Sequence, residues 1–481
     1  MNSWRYKRFH VSYLLSWLGV GVLLGLFIGR AVPLIAVWII LALAVVLTVT
    51  SLKSRRWYAC VLIVVAGMLL GYLQGAAFAH SLHSFDGYIG TKTTLVGTVQ
   101  QDPVLKDGSN IWQAELGDVS AGSASLNGGV FATIVSDEAL KRGDRVMVSG
   151  KVFEGFGSFQ ASIYRAGLQH VTRPNDPFLA ARDSFAEAVR RVMPEPEASL
   201  GLGFVVGQKS ALPDDLAEQL KTVGLTHIVV ASGYNLTILV RFARRLLVRR
   251  SRYLALVGSG LLVVGFVFVS GFSASMNRAA AVTVLSLLAW YYGRRFHPIQ
   301  LILYVAAVSA FLNPLYVWGD LGWLLSFAAF TGVLVVAPII TRLLYSKKRE
   351  PSAVVQLVVE TLSAEVMTLP IIIISFGYVP VFALIANILV APVIPFAMLL
   401  TFIAGVVGWL APWFTILAAP ATILIAYVVA IVKWLSQADW ARLPVDIPAW
   451  VALVWYGALL FVGWVIWRRR KVDLLVSNVV E

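Results

Sequence analysis

Charge is what this sequence has least of. Only 13% of its 481 residues are Asp, Glu, Lys or Arg, where a soluble chain carries about a quarter. Cysteine is almost missing as well. Cys60 stands alone, so no disulfide can close within the chain, and its apolar surroundings make it a small membrane residue. The six histidines (His10, His80, His83, His170, His227 and His297) fall in no metal-ligand spacing. No G-x-x-x-x-G-K-S/T loop is present, so energy from a nucleotide has to come from a partner. The G-x-S-x-G elbow of serine hydrolases is absent too, because Ser232 lies in Val-Ala-Ser-Gly-Tyr. The expectation is a protein that is not an enzyme and uses no metal or cofactor.

What is plentiful is apolar. Hydrophobic residues make up 59% of the chain and the mean hydropathy is +0.79. Apolar runs at 11–28, 32–50 and 58–79 open the sequence, and further spans are read at 223–242, 253–271, 276–293, 298–312, 321–341 and 354–375. A run broken by Pro392 and Pro395 follows to about 409, then 413–435 and 449–467. The sum is about twelve spans. The net charge of +14 falls largely into turns on one side, as the positive-inside bias requires. That bias sets both termini in the cytoplasm and residue 80 outside. The first apolar run is followed at once by another, which is not the pattern of a cleavable signal.

Between residues 80 and 175 the chain changes character. Five short alternating segments, TTLVGTVQ, IWQAELG, GVFATIV, GDRVMVSGKVF and FQASIYRAG, are separated by Asp, Gly, Asn and Ser turns. They predict a small extracellular β-barrel of the OB type. Such barrels often bind single-stranded nucleic acid, yet this segment holds eight Lys/Arg against nine Asp/Glu. Trp112, Phe131, Phe153, Phe156, Phe159 and Tyr164 are therefore expected in core or interdomain contacts ahead of a base-stacking platform. The division that results is a three-span region (1–79), the barrel (80–175), amphipathic interfacial helices (176–222), a membrane core (223–471) and a cytoplasmic tail (472–481). Residues 201–207 are too short to span, and either dip into the membrane or lie flat on it.

One stretch organises the rest. From Lys209 to Lys221 the spacing is that of an amphipathic helix, with Asp214 and Asp215 at its positive end. From Val223 to Phe242 the chain is apolar, but His227, Ser232, Gly233 and Asn235 interrupt it. Small residues there also suit close helix packing. A breakable polar patch at mid-membrane depth otherwise marks a site that handles something polar. Arg278, Asp320, Glu365 and Asn387 are the other polar groups in the core that matter. Arg278 suits an interfacial anchor or a path-lining group, and Asp320 a helix cap or the same path. Glu365 is deeper, a candidate ion or proton group. Asn387 precedes the segment broken by proline. Arg241, Arg244, Arg245, Arg249 and Arg250 form a basic cluster on the cytoplasmic side.

Gly207, Lys209, Ser210, Leu212, Gly224, Leu225, His227, Ser232 and Gly233 together resemble the signature of the ComEC/Rec2 competence family. MNRAA (276–280), NPLYVWGDLGWLLSFAAFTG (313–332) and FALIANILVAPVIP (382–395) follow in the family's order. The resemblance implies a channel that passes single-stranded DNA into the cytoplasm during natural transformation. It implies a path at His227, Ser232, Gly233, Asn235, Arg278 and Asn387. It also implies a cytoplasmic helicase-type ATPase, a DNA receptor and a separate nuclease as partners. Asn235 stands where the family usually has His, and the C-terminal metallo-β-lactamase-like domain of many members is not in this sequence. Two other readings stay open: a transporter of small solutes or lipid intermediates, and an intramembrane hydrolase using Ser232.

Overall fold

The computed structural model describes residues 9–106, 109–157, 159–208, 212–229, 233–270, 274–294, 297–345 and 351–470. The chain opens with three apolar helices, α1 (Val11–Ala31), α2 (Val37–Ser54) and α3 (Trp57–Leu82). Seven strands follow: β1 (Lys92–Val99), β2 (Val104–Leu105), β3 (Ile111–Ala121), β4 (Ala124–Ser125), β5 (Val130–Val135), β6 (Arg145–Glu154) and β7 (Ala161–Thr172). Next come α4 (Pro177–Val192), α5 (Glu197–Val206), α6 (Asp214–Val223), α7 (Thr226–Val229), α8 (Gly233–Leu247), α9 (Arg252–Ser270) and α10 (Ala274–Tyr291). Then α11 (Pro298–Leu312), α12 (Leu315–Gly319), α13 (Leu321–Thr331) and α14 (Ala337–Leu344) lead to α15 (Ala353–Phe376) and β8 (Tyr378–Pro380). The chain closes with α16 (Ala383–Val390), α17 (Ile394–Leu410), α18 (Ala419–Ser436), β9 (Arg442–Pro444) and α19 (Ala449–Arg470).

Two compact units result. The first joins residues 1–174 to residues 299–327. Its helical part is built on glycines spaced by four. Gly21, Gly25 and Gly29 of α1 face Gly67, Gly71 and Gly75 of α3 so closely that a Cβ on Gly29 would lie 2.6 Å from the Ala76 nitrogen. In lipid, where no hydrophobic effect drives helices together, such backbone-to-backbone approach supplies the packing energy. Tyr304 of α11 donates to the Ser12 carbonyl (2.6 Å) and Trp318 of α12 to the Leu26 carbonyl (3.0 Å).

The barrel in this unit closes as β1–β3–β5–β7–β6–β1. All of its pairs are antiparallel except β5 with β7. This is the OB connectivity, and the five long strands are the five read from alternation. The alternation sets the inside: Leu95, Val99, Ala114, Leu116, Val130, Ala132, Ile134, Val146, Val148 and Ile163 are all buried in one core. Phe85, on the turn between α3 and β1, is buried in the same core. The aromatics depart from expectation. Trp112 packs against the core, but Phe153, Phe156 and Tyr164 are 40%, 49% and 48% exposed. They sit on outward positions or in the β6–β7 turn, which the alternation already leaves unburied.

The second unit joins residues 175–298 to residues 328–481. Its core is apolar and continuous through α4, α5, α6, α8, α9, α10, α16, α17 and α18. Residues 201–206 belong to α5, whose residues Ala198–Phe204 and Val206 are buried, and α5 packs on α17 and α18. Gly201 makes room for this, since a Cβ there would meet Thr401 and Ile425 at 2.9 Å. α4 is the expected amphipathic helix, capped by Asp176. Its Phe185 and Ala188 press on Gly405 and Gly408 of α17.

Eight helices are long and apolar enough to cross a membrane, or nine if α16 and α17, bent by 53°, count as one span. The expected count of about twelve is not reached among the described residues. The shortfall has three sources. The stretch 223–242 is interrupted near its start, where α6 ends in left-handed Gly224 (φ 79°), and the described part of α7 is four residues. α8 is 15 residues long and carries three arginines. α11 is apolar but 15 residues long, and α10 begins with Ser275, Asn277 and Arg278.

Candidate functional site

Among the residues singled out between 207 and 235, Gly224 ends α6. A Cβ on Gly224 would meet Ala383 at 2.9 Å and Pro380 at 3.1 Å, besides adopting a positive φ. Only glycine lets the α6–α7 turn sit against the start of α16. Arg442 of β9 holds the same region from outside. It bonds Glu218 of α6 at 2.9 Å and lies 3.8 Å over the Tyr378 ring. The Lys221 ammonium (3.2 Å), with Arg442 behind it, holds the Glu218 carboxyl below its ordinary range.

His227 lies on α7 and hydrogen-bonds the Gly224 backbone. The residue is exposed. Gly233 opens α8, and a Cβ there would stand 2.7 Å from the Ala279 Cβ of α10. α8 and α10 are thereby drawn together near their N-terminal ends, where the helix dipole is positive. Asn235, one turn nearer the core, is fully buried and donates to the Phe204 carbonyl of α5 at 3.3 Å. Arg278, beside Ala279, is only 2% exposed, while its neighbour Asn277 is exposed. An arginine so buried is not the snorkelling interfacial anchor its position at the start of a span suggests. Ser232 lies outside the described residues, as do Lys209 and Ser210.

Asn387 and Glu365 form a second polar centre in the same unit. Asn387 of α16 is buried and donates to the Glu365 Oε1 of α15 at 3.1 Å. Three irregularities converge there. α16 breaks before α17 at Pro392. Between α13 and α14 a single π turn (Gly332–Val336) sets Gly332 directly on the Ser363 carbonyl and Ala364. α15 itself contains Pro370, which cannot donate to the Val366 carbonyl. Trp455 of α19 takes up the freed Val366 carbonyl (3.1 Å), and Tyr456 beside it donates to the Met367 carbonyl (2.8 Å). Local irregularity of this kind clusters at functional places in helices.

Asp320 caps α13 by accepting from the Trp323 nitrogen, and it belongs to the first unit. In the basic cluster, Arg241, Arg245, Arg249 and Arg250 are exposed. Arg244 instead lies 5.0 Å over the Trp290 ring of α10, with Arg252 5.9 Å from the same ring. Part of the cluster therefore packs α8, α9 and α10 together. Sequence reasoning did not single out Phe204, Trp290, Trp455 or Tyr456. Each acts through a backbone carbonyl or a ring face supplied by a distant helix, and no spacing in the sequence announces that. No group of three or more His, Cys, Asp or Glu suited to a metal occurs among the described residues.

Apolar helices of spanning length, broken helices with polar side chains at the breaks and an OB-like barrel define a multi-pass membrane protein. The competence protein family matches residues 204–470, more than half of the chain, and the chain belongs to that family. Its role is accordingly in competence, the uptake of DNA. No curated protein and no solved structure matches it.

Proposed function

We propose that this protein is the membrane channel through which single-stranded DNA enters the cytoplasm during natural transformation. The observation that carries the reading is the close approach of α8 and α10 at Gly233 and Ala279, with buried Arg278 next to it and exposed His227 six residues earlier in the chain. A phosphate-bearing strand needs a wet path walled by protein, since a charged backbone cannot contact lipid. Helix N-termini and a buried arginine such as Arg278 supply positive potential without reading sequence. In this reading His227, Ser232, Gly233, Asn235, Arg278 and Asn387 line the path, and Arg241, Arg245, Arg249 and Arg250 meet the strand as it leaves. Both termini are cytoplasmic and the barrel is outside. A cytoplasmic helicase-type ATPase pulls the strand, and a receptor and a separate nuclease act at the outer face. The protein itself performs no covalent chemistry.

The test is uptake of labelled DNA into a DNase-resistant state by a strain from which the gene is deleted. Uptake is expected to vanish and to return with the wild-type gene. Unchanged uptake in the deletion removes the reading. A second reading, transport of a small cationic solute, draws on the Glu365–Asn387 pair, because a fixed carboxylate suits a cation and repels DNA. Glu365→Gln keeps the hydrogen-bonding geometry and removes the charge. DNA uptake should survive that change, whereas transport of a cation bound at Glu365 would not.

A further inference from the structure

We propose that the turn joining β6 to β7 is a membrane-contacting tip, which seats the barrel on the lipid headgroups with its phenylalanines in the outer leaflet. It rests on the chain's being a membrane protein and not on the DNA reading. The barrel has a near end and a far end relative to the helices of its own unit. Three contacts fix the near end. Ile89, just after α3, bridges to Val152, and Gly90 donates to the Val152 carbonyl at 2.8 Å. Asn127 donates to Ser84 Oγ at 3.3 Å. The Gly157 carbonyl lies 3.8 Å from where a Cβ of Gly319 would stand, at the end of α12. α12 in turn lies across the ends of α1 and α3. Trp318 bonds the Leu26 carbonyl, its ring meets Phe78 at 5.9 Å, and its carbonyl accepts from Arg30 at 3.3 Å. Where these apolar helices end, the membrane–water boundary begins, and aromatic residues collect there.

The tip carries the side chains that such a boundary takes. Phe131, Phe156 and Phe159 form a three-ring cluster with centroids 5.3 to 5.7 Å apart. Phe153 and Tyr164 pair beside it at 5.7 Å. Phe153, Phe156 and Tyr164 are exposed. The rim is basic. Lys92 and Lys151 stand directly opposite each other on β1 and β6, both exposed, and Lys151 lies over the Phe153 ring at 5.6 Å. Like charges facing across a ladder repel. Anionic headgroups would relieve that repulsion while the rings enter the acyl boundary, the arrangement of interfacial segments that bind by apolar area and basic charge together.

The experiment uses the full chain carrying Cys60→Ser, reconstituted in phosphatidylethanolamine–phosphatidylglycerol vesicles. Single spin labels are placed by Phe153→Cys, Phe156→Cys and, at the barrel's far end, Ala139→Cys. Collision with oxygen, which concentrates in lipid, is compared with collision with a water-soluble nickel chelate. Labels at 153 and 156 should favour oxygen, the label at 139 nickel, and added single-stranded DNA should change none of them. Nickel-favoured labels at both 153 and 156 overturn the proposal. If single-stranded DNA then immobilises them, the tip is a nucleic-acid surface instead. Tyr164→Cys serves as the replacement position if either phenylalanine variant fails to fold.

Discussion

Asp144 is buried at the start of β6 and accepts from the Lys141 nitrogen at 2.8 Å. Burial pushes its carboxyl above the usual range, against the pull of that hydrogen bond. A carboxyl whose folded pKa lies above its unfolded value favours folding most when protonated. Its contribution is therefore complete below about pH 4, the unfolded value, and is lost as pH rises through the raised one. Asp144→Asn should keep the acceptor and flatten that part of the pH profile in thermal unfolding of the barrel. Asp144→Ala should cost about 1 kcal/mol, because the Lys141 N–H loses its acceptor. In the second unit, Gly233→Leu forces a side chain into Ala279, and Arg278→Glu reverses a buried charge. Both variants should insert and yet take up DNA at least about tenfold less, a change of roughly 1.4 kcal/mol or more in the barrier. Immunoblots of membranes read insertion, and DNase-resistant label reads uptake.

Helices and strands differ in how plainly the sequence declares them. Leu95, Val146 and Ile163 alternate with polar neighbours, so the barrel's strands and its inside could be read directly. The glycines of α1 and α3 stand at a spacing of four, but the apolar runs were read for length alone and the close helix pair was not anticipated from them. Residues 223–242 were harder. Apolar content alone suggests a span, and the break shows only once Gly224 is seen against Pro380 and Ala383. The Glu365–Asn387 pair joins residues 22 apart on two helices, and hydropathy carries no trace of that contact. The same holds for α15 and α19. Pro370 announces a defect, but nothing nearby says that Trp455 repairs it, with Tyr456 beside it. Trp455→Phe and Tyr456→Phe should each cost about 1 kcal/mol. Hydrogen exchange should rise in the turn around residues 366–370 and remain unchanged in the barrel. Equal exchange in variants and wild type would show that these carbonyls find other partners.

At the scale of the molecule, a soluble barrel and a core of interrupted helices occur in one chain of low charge. The barrel's near-neutral charge does not favour strong DNA binding. The interrupted helices concentrate their polar atoms at breaks, where backbone left without helical partners needs protein or water. In the function proposed above, the broken helices form the way through. The most direct test of that passage is photocrosslinking from single positions to DNA stalled in transit. A crosslinking residue at 227 or 277, both accessible, should form adducts with the strand. One at Val257, on the exposed face of α9, should label lipid alone. If positions 227 and 277 also label only lipid while DNA is held in the membrane, the strand travels elsewhere and the account is wrong.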